Sequence, residues 1–176
     1  MFYIELCLKG FLGLDGRPNK GGINLGQAKQ MMHEWLQHRN VLEELLESID
    51  DEHIDFRPWE GAIALGELAL HVAGWNDVFV SMVKTEEFAS PDIPECQTMG
   101  DVRKVVKEFT KKTKATYESL TDADLEVENN SSHPKLQGSK KRYLTAMYDH
   151  EIHHKGQLFV YARLVGVKEV PFFANT

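Results

Sequence analysis

The chain has 176 residues, 42% hydrophobic and 27% charged, which fits one soluble domain that builds its core without disulfide staples. Lys and Arg number 20 against 27 Asp and Glu, and a net charge of -7 repels a phosphate backbone, so nucleic acid is a poor partner. Cys7 and Cys96 stand far apart with neither a disulfide framework nor a CxxC knuckle, as suits a reducing cytoplasm, and no stretch approaches the ~18 apolar residues of a membrane span.

The opening run MFYIELCLKGFLGL is apolar but carries Glu5 and Lys9, lacks a basic start and precedes no small-residue cleavage site, so it does not read as a secretion signal. Gly10, Gly13, Gly16, Pro18, Gly21 and Gly22 make a poor helix. Residues 1–22 are therefore expected to be a poorly structured arm or an extension foreign to the fold, with the domain at 23–176.

Four helical stretches follow. The first is capped by Asn24 and runs to about Ile49, with Met31, Trp35, His38, Leu42, Leu45 and Ile49 on one stripe. The breaker-rich connection Phe56-Arg57-Pro58-Trp59-Glu60-Gly61 leads to a second, about Ala64 to Lys84, striped by Ala64, Leu68, His71, Trp75, Val78 and Met82. After a Pro-containing loop at 88–97, Thr98 and Asp101 form a capping-box pattern for a third, about 99–120. This one buries Val102, Val106, Phe109, Thr113, Tyr117 and Leu120, and its opposite, lysine-rich face lacks the aromatics a nucleic-acid surface would interleave. Residues 121–138 are a polar connection with one extended piece at Leu125-Glu126-Val127. The fourth helix runs from Ser139 to about Val165 and stops at Gly166, after which VKEVPFF packs back. The pattern is all-α, a four-helix bundle.

Three histidines sit where the core should be. With His150 at 0° on a helical wheel, His154 falls near 40° and Leu158 near 80° (~100° per residue), while His153 points aside. His71 lies inside the stripe of the second helix. A lone histidine on such a stripe is ordinarily a hydrogen-bonded core residue. A His-x3-His pair plus an inward His71 turns the balance toward a divalent metal, which satisfies three buried imidazoles at once and leaves the coordination sphere open. His38 is a rival fourth ligand or a group standing behind the ligands. His33 and His53 look like surface or loop residues, and His133 precedes a proline in a loop. His150-Glu151-Ile152-His153-His154 also spells H-E-x-x-H, in which Glu151 would be a protease's general base. Against that reading, Gln157 stands where the longer metzincin motif needs glycine, and no strand precedes the helix to supply a sheet edge.

The fourth-helix run from His150 through Lys155-Gly156-Gln157-Leu158 to Tyr161-Ala162-Arg163-Leu164-Val165-Gly166 resembles the H-x3-H-R-G-Q…Y-x-R-x-x-G signature of the DinB/YfiT-like superfamily. Leu65-Gly66-Glu67-Leu68-Ala69-Leu70-His71, with Phe56-Arg57-Pro58 upstream, is similar to that family's first-histidine motif. Lys155 departs from the usual arginine, keeping the charge but losing any bidentate contact. The resemblance covers roughly residues 24–171. It implies a four-helix bundle of up-down-down-up topology, a zinc or nickel ion on His71, His150 and His154, and a homodimer. Characterised members of the family include thiol-dependent enzymes such as bacillithiol S-transferases.

The leading expectation is a cytoplasmic, metal-dependent transferase that converts a low-molecular-weight thiol to its thiolate for attack on an electrophile (an epoxide, halide or activated alkene). Gln157 and Tyr161 line the pocket or orient a ligand, or else are helix-end and core residues. The alternatives are hydrolysis by metal-bound water and a bundle that the metal merely stabilises. A second apolar stripe, Tyr148, Ile152 and Phe159, is consistent with a dimer face or with internal packing.

Overall fold

The computed structural model describes residues 26–131 and 136–175, so the expected N-terminal arm, Asn24, Cys7 and His133 lie outside the described residues. In chain order the elements are α1 (Gln27–Glu47), a 3-10 turn (Asp51–His53), α2 (Leu65–Thr85), α3 (Met99–Glu118), α4 (Asp122–Glu126), β1 (Glu128–Asn129), β2 (Gly138–Ser139) and α5 (Lys141–Leu164).

The helix ends follow local chemistry. Thr98 Oγ1 accepts from the Asp101 amide at 3.1 Å while the Asp101 carboxylate accepts from the Thr98 amide at 3.0 Å, closing the box expected for α3. At α1 the N-cap position is Gly26, and the cap comes from elsewhere in the chain. Asp122 accepts from the Ala28 amide at 2.9 Å, and a β-carbon at Gly26 would lie 2.8 Å from that carboxylate. The α5 end turns at Gly166 (φ +99°), which lets the Val167 amide reach the Ala162 carbonyl at 3.0 Å.

One expected element is corrected. Leu125 and Glu126 belong to a short helix, and the extended pair lies later, with Glu128 opposite Ser139 and Asn129 opposite Gly138. The reason is a second capping box. Thr121 caps Asp122–Glu126 just as Thr98 caps α3, with Asp124 accepting from the Thr121 amide at 2.8 Å.

Side-chain pairs give the helix directions. Trp35 stacks on Tyr117 and Arg103 donates to the Leu46 carbonyl, so α1 and α3 are antiparallel. His71 meets His150 and Glu86 meets Lys140, so α2 and α5 are antiparallel as well. Gly66 abuts Val102 and Asp77 pairs with Lys112, so α2 and α3 run side by side in the same direction. The connection at 86–98 must then return along the whole bundle. Extended, it spans up to about 43 Å, enough for helices about 30 Å long. It crosses close to α2, where a β-carbon on Gly74 would lie 2.8 Å from Pro91.

Two apolar clusters fill the bundle. One gathers Leu42, Leu45, Leu65, Leu68, Met99 and Leu158, and the other Trp35, Val80, Tyr117, Tyr143 and Met147. Between them each long helix places a buried polar side chain: Arg39 between Trp35 and Leu42, Asn76 between Ala73 and Val80, Thr113 between Val106 and Tyr117, Glu151 between Met147 and Leu158. The C-terminal tail packs back as expected, Val167 and Val170 against the first cluster and the Asn175 amide on the Gln37 carbonyl at 3.1 Å. Of the second α5 stripe, Phe159 packs on the core and only Ile152 is exposed. Among the described residues no helix is long and apolar enough to cross a membrane.

Candidate metal centre

Antiparallel packing of α2 on α5 brings His71 level with His150, and His154 follows one turn later on the same face. One nitrogen from each of the three lies within 4.8 Å of the others, and the Nε2 atoms of His71 and His150 are 3.0 Å apart. Gln157 Oε1 accepts from His154 Nδ1 at 2.6 Å, which fixes the tautomer and leaves Nε2 with its lone pair. His153 sits on the exposed side of the helix, its ring 4.8 Å from that of His154.

All three rings are held neutral. Burial lowers His71, with His154 adding to the effect. Burial, then His154 and His71, push His150 down to about 3. Burial lowers His154 too, against the opposing pull of its bond to Gln157. The donor set therefore fits a divalent ion. Ligands at ~2.05 Å in a tetrahedral array lie about 3.3 Å apart, close to the observed separation of the His71 and His150 nitrogens. His150 Nδ1 is in addition buried without a hydrogen-bond partner.

The other candidates are placed differently. His38 is taken up on both nitrogens, Nε2 by the Tyr148 hydroxyl at 3.1 Å and Nδ1 by Lys155 Nζ at 2.6 Å, so it does not join the cluster. Lys155 also donates to the Phe173 carbonyl of the tail. A single-pointed ammonium suits that task better than a planar guanidinium would. Tyr161 is a core residue, its ring edge-on to Phe56 and its hydroxyl 3.3 Å from the Ile63 carbonyl. It does not line the cavity described below.

Glu151, the H-E-x-x-H glutamate, faces inward and is fully buried. Arg39 donates to it through Nε at 3.1 and 3.2 Å and Nη2 at 2.5 Å, and Asn76 Nδ2 donates at 2.5 Å. A carboxylate so engaged is a poor general base. This belt was not anticipated, although the wheel carries a signal for it. Glu151 falls near 100° and Lys155 near 140°, between Leu158 near 80° and Phe159 near 180°. Charges flanked by apolar positions on both sides mark a helix buried over a wide arc.

His71 and His150 open onto a cavity of about 970 Å³ between α2 and the first half of α5, which Asn130, Ser131 and Leu136 also line. A volume of this order suits a small-molecule ligand.

Four antiparallel and parallel helices around a three-histidine cluster define a helical-bundle protein with a candidate metal site. The DinB family model matches residues 22–175, and the chain belongs to that family. It is 36% identical over 150 residues to the uncharacterized protein YjoA of Bacillus subtilis (strain 168), covering 84% of this chain and 96% of that one. The crystal structure of YjoA, described as DinB-like, superposes with a TM-score of 0.71 at 30% identity, over 84% of this chain and 99% of that one. A DinB-like protein from Bacillus cereus ATCC 10987 shares the fold at 20% identity, with a TM-score of 0.70 over 82% of this chain and 95% of that one.

Proposed function

We propose that the chain is a divalent-metal-dependent transferase that activates a low-molecular-weight thiol of the bacillithiol type, with zinc or nickel held by His71, His150 and His154. The observation that carries this reading is the convergence of three neutral imidazole nitrogens within 4.8 Å, two of them, on His71 and His150, belonging to residues that line a ligand-sized cavity. A bound ion supplies Lewis acidity, which makes a thiol with pKa ~8.5 a thiolate at neutral pH. Gln157 keeps His154 in the tautomer that presents Nε2, and Arg39, by occupying Glu151, keeps that carboxylate from competing as a ligand. His38 is held away by Lys155 and Tyr148, so a position stays open for a substrate.

In the reaction the sulfur forms one new bond to carbon. With a halide the carbon–halogen bond breaks and the thiol proton passes to solvent. With an epoxide the C–O bond breaks and its oxygen takes up a proton from solvent in place of the one the thiol releases. No protein nucleophile takes part. The reading extends to a cytoplasmic homodimer without nucleic-acid or membrane partners. It is supported by the net charge of -7 and by the exposed Val160 and Leu164, one turn apart on α5, which suit a second copy.

Elemental analysis of purified protein beside the His150→Ala/His154→Ala variant tests the site, with about one equivalent of metal expected in the former and none in the latter. Metal-loaded protein is then given a halide electrophile with and without thiol. Turnover only with thiol is the expected result. Absence of metal after reconstitution with zinc and nickel, or turnover indifferent to thiol, overturns the reading, the latter in favour of hydrolysis.

A further inference from the structure

The cavity has two unlike walls. On α2, His71, Trp75, Phe79 and Met82 recur every three or four residues and line it over about 16 Å at 1.5 Å per residue. The rings of His71, Trp75 and Phe79 form a continuous belt. His71 lies 6.2 Å from Trp75 and Phe79 lies 6.3 Å from Trp75 and 6.0 Å from His150, centroid to centroid. Phe88, returning on the 86–98 connection, prolongs the belt at 5.3 Å from Trp75, although its side chain remains 62% exposed. The facing wall on α5 is small and polar only in its middle, at Thr145, Ala146 and Asp149, with His150 at one end and Arg142 and Tyr143 toward the other. In that middle stretch the aromatic run faces short side chains, which leaves a flat ring room to lie against Trp75 and Phe79.

Taking the histidine cluster as the reacting end, as the transferase reading does, we propose that the electrophile is a planar aromatic compound. Its ring lies on Trp75 and Phe79, and its polar tail points toward Asn130 and Ser131. A saturated compound of the same skeleton gains similar burial but forgoes the ring-to-ring contacts. Each such contact multiplies affinity by roughly two to ten. The polar far end gives a hydroxyl or amide tail its partners and sets the ligand's direction in the slot.

The test compares 2-naphthylmethanol with its decahydro analogue, by calorimetry and tryptophan quenching, on metal-free and zinc-loaded full-length protein. The planar probe is expected to bind at least tenfold more tightly. That preference is expected to fall below about threefold in Phe79→Leu and in Trp75→Leu, with unchanged circular dichroism confirming the fold. Probes that bind within twofold of each other, failure of both to bind, or a preference that survives both substitutions overturns the proposal. Zinc content of the same samples reads the metal site separately. Zinc occupancy without a planar preference defeats the aromatic electrophile alone. A planar preference in a chain that takes no zinc upholds the ring surface and defeats the transferase reading.

Discussion

Replacing Arg39 with methionine removes three of the four hydrogen-bond contacts that the Glu151 carboxylate receives and leaves only Asn76. Both partners of the ion pair are 0% exposed, so no water stands ready to take over. Breaking a buried pair from one side costs about 3–5 kcal/mol, because the surviving charge stays behind without compensation. For a domain of this size each kcal/mol moves the melting temperature by roughly 2–4 °C, so Arg39→Met is expected to melt roughly 6–20 °C below the wild type. Removing both charges is a different perturbation. Arg39→Met combined with Glu151→Leu deletes the desolvation penalty along with the attraction and is expected to recover most of the loss. Urea titrations of the wild type, both single variants and the double variant close a thermodynamic cycle. A single-variant loss below about 1 kcal/mol, or a double variant equal to the sum of the singles, would refute the account of Arg39 and Glu151 as a coupled, dry pair.

Two further outcomes follow from the histidine cluster. Gln157→Leu removes the acceptor from His154 Nδ1 and frees the ring to adopt the other tautomer, so zinc affinity is expected to fall about 10–100-fold with the melting temperature little changed; unchanged affinity in a competition titration would contradict this. The second outcome concerns acid. The unfolded chain protonates its histidines near pH 6.5, whereas the folded chain holds His71 and His154 below that and His150 down to about 3. Between those values the unfolded state binds more protons, so the stability of chelator-treated protein is fully present above about pH 7 and declines as pH falls. Most carboxylates titrate lower, so melting curves between pH 7 and pH 5 isolate the effect, and a His150→Leu variant should show a shallower decline. A flat profile over that window would exclude it.

The long helices and the histidine cluster were legible because both express a single period. Apolar residues and His71, His150 and His154 share stripes, and a stripe becomes an interior when helices pack. The caps were legible where a motif is local, as at Thr98 and Asp101. The same motif at Thr121 and Asp124 was overlooked because it opens a helix too short to show a stripe. Asp122 as the cap of α1 could not be read along the chain at all, since it arrives from the far side of the sequence. The polar belt was hidden for a different reason. Sequence reading assigns charges to the surface, and Arg39, Glu151 and Lys155 are buried only because each finds a partner on another element. Tyr161 shows the converse, since a position on the ligand-bearing stripe need not reach the ligand side once the helix is buried all round.

The connection at 86–98 owes its length to the parallel course of α2 and α3; its ends and its second half serve the helices, through Glu86, Ile93, Cys96 and Thr98, whereas residues 87–90 are exposed. It nonetheless delivers Phe88 to the rim of the cavity. Part of the cavity rim is thereby carried by a stretch of chain separable from the scaffold. Mutations in this strap can redraw the rim while the histidines and the buried belt stay fixed. A library confined to residues 87–90, screened against ligands of different shape, would vary what the cavity admits at small risk to folding.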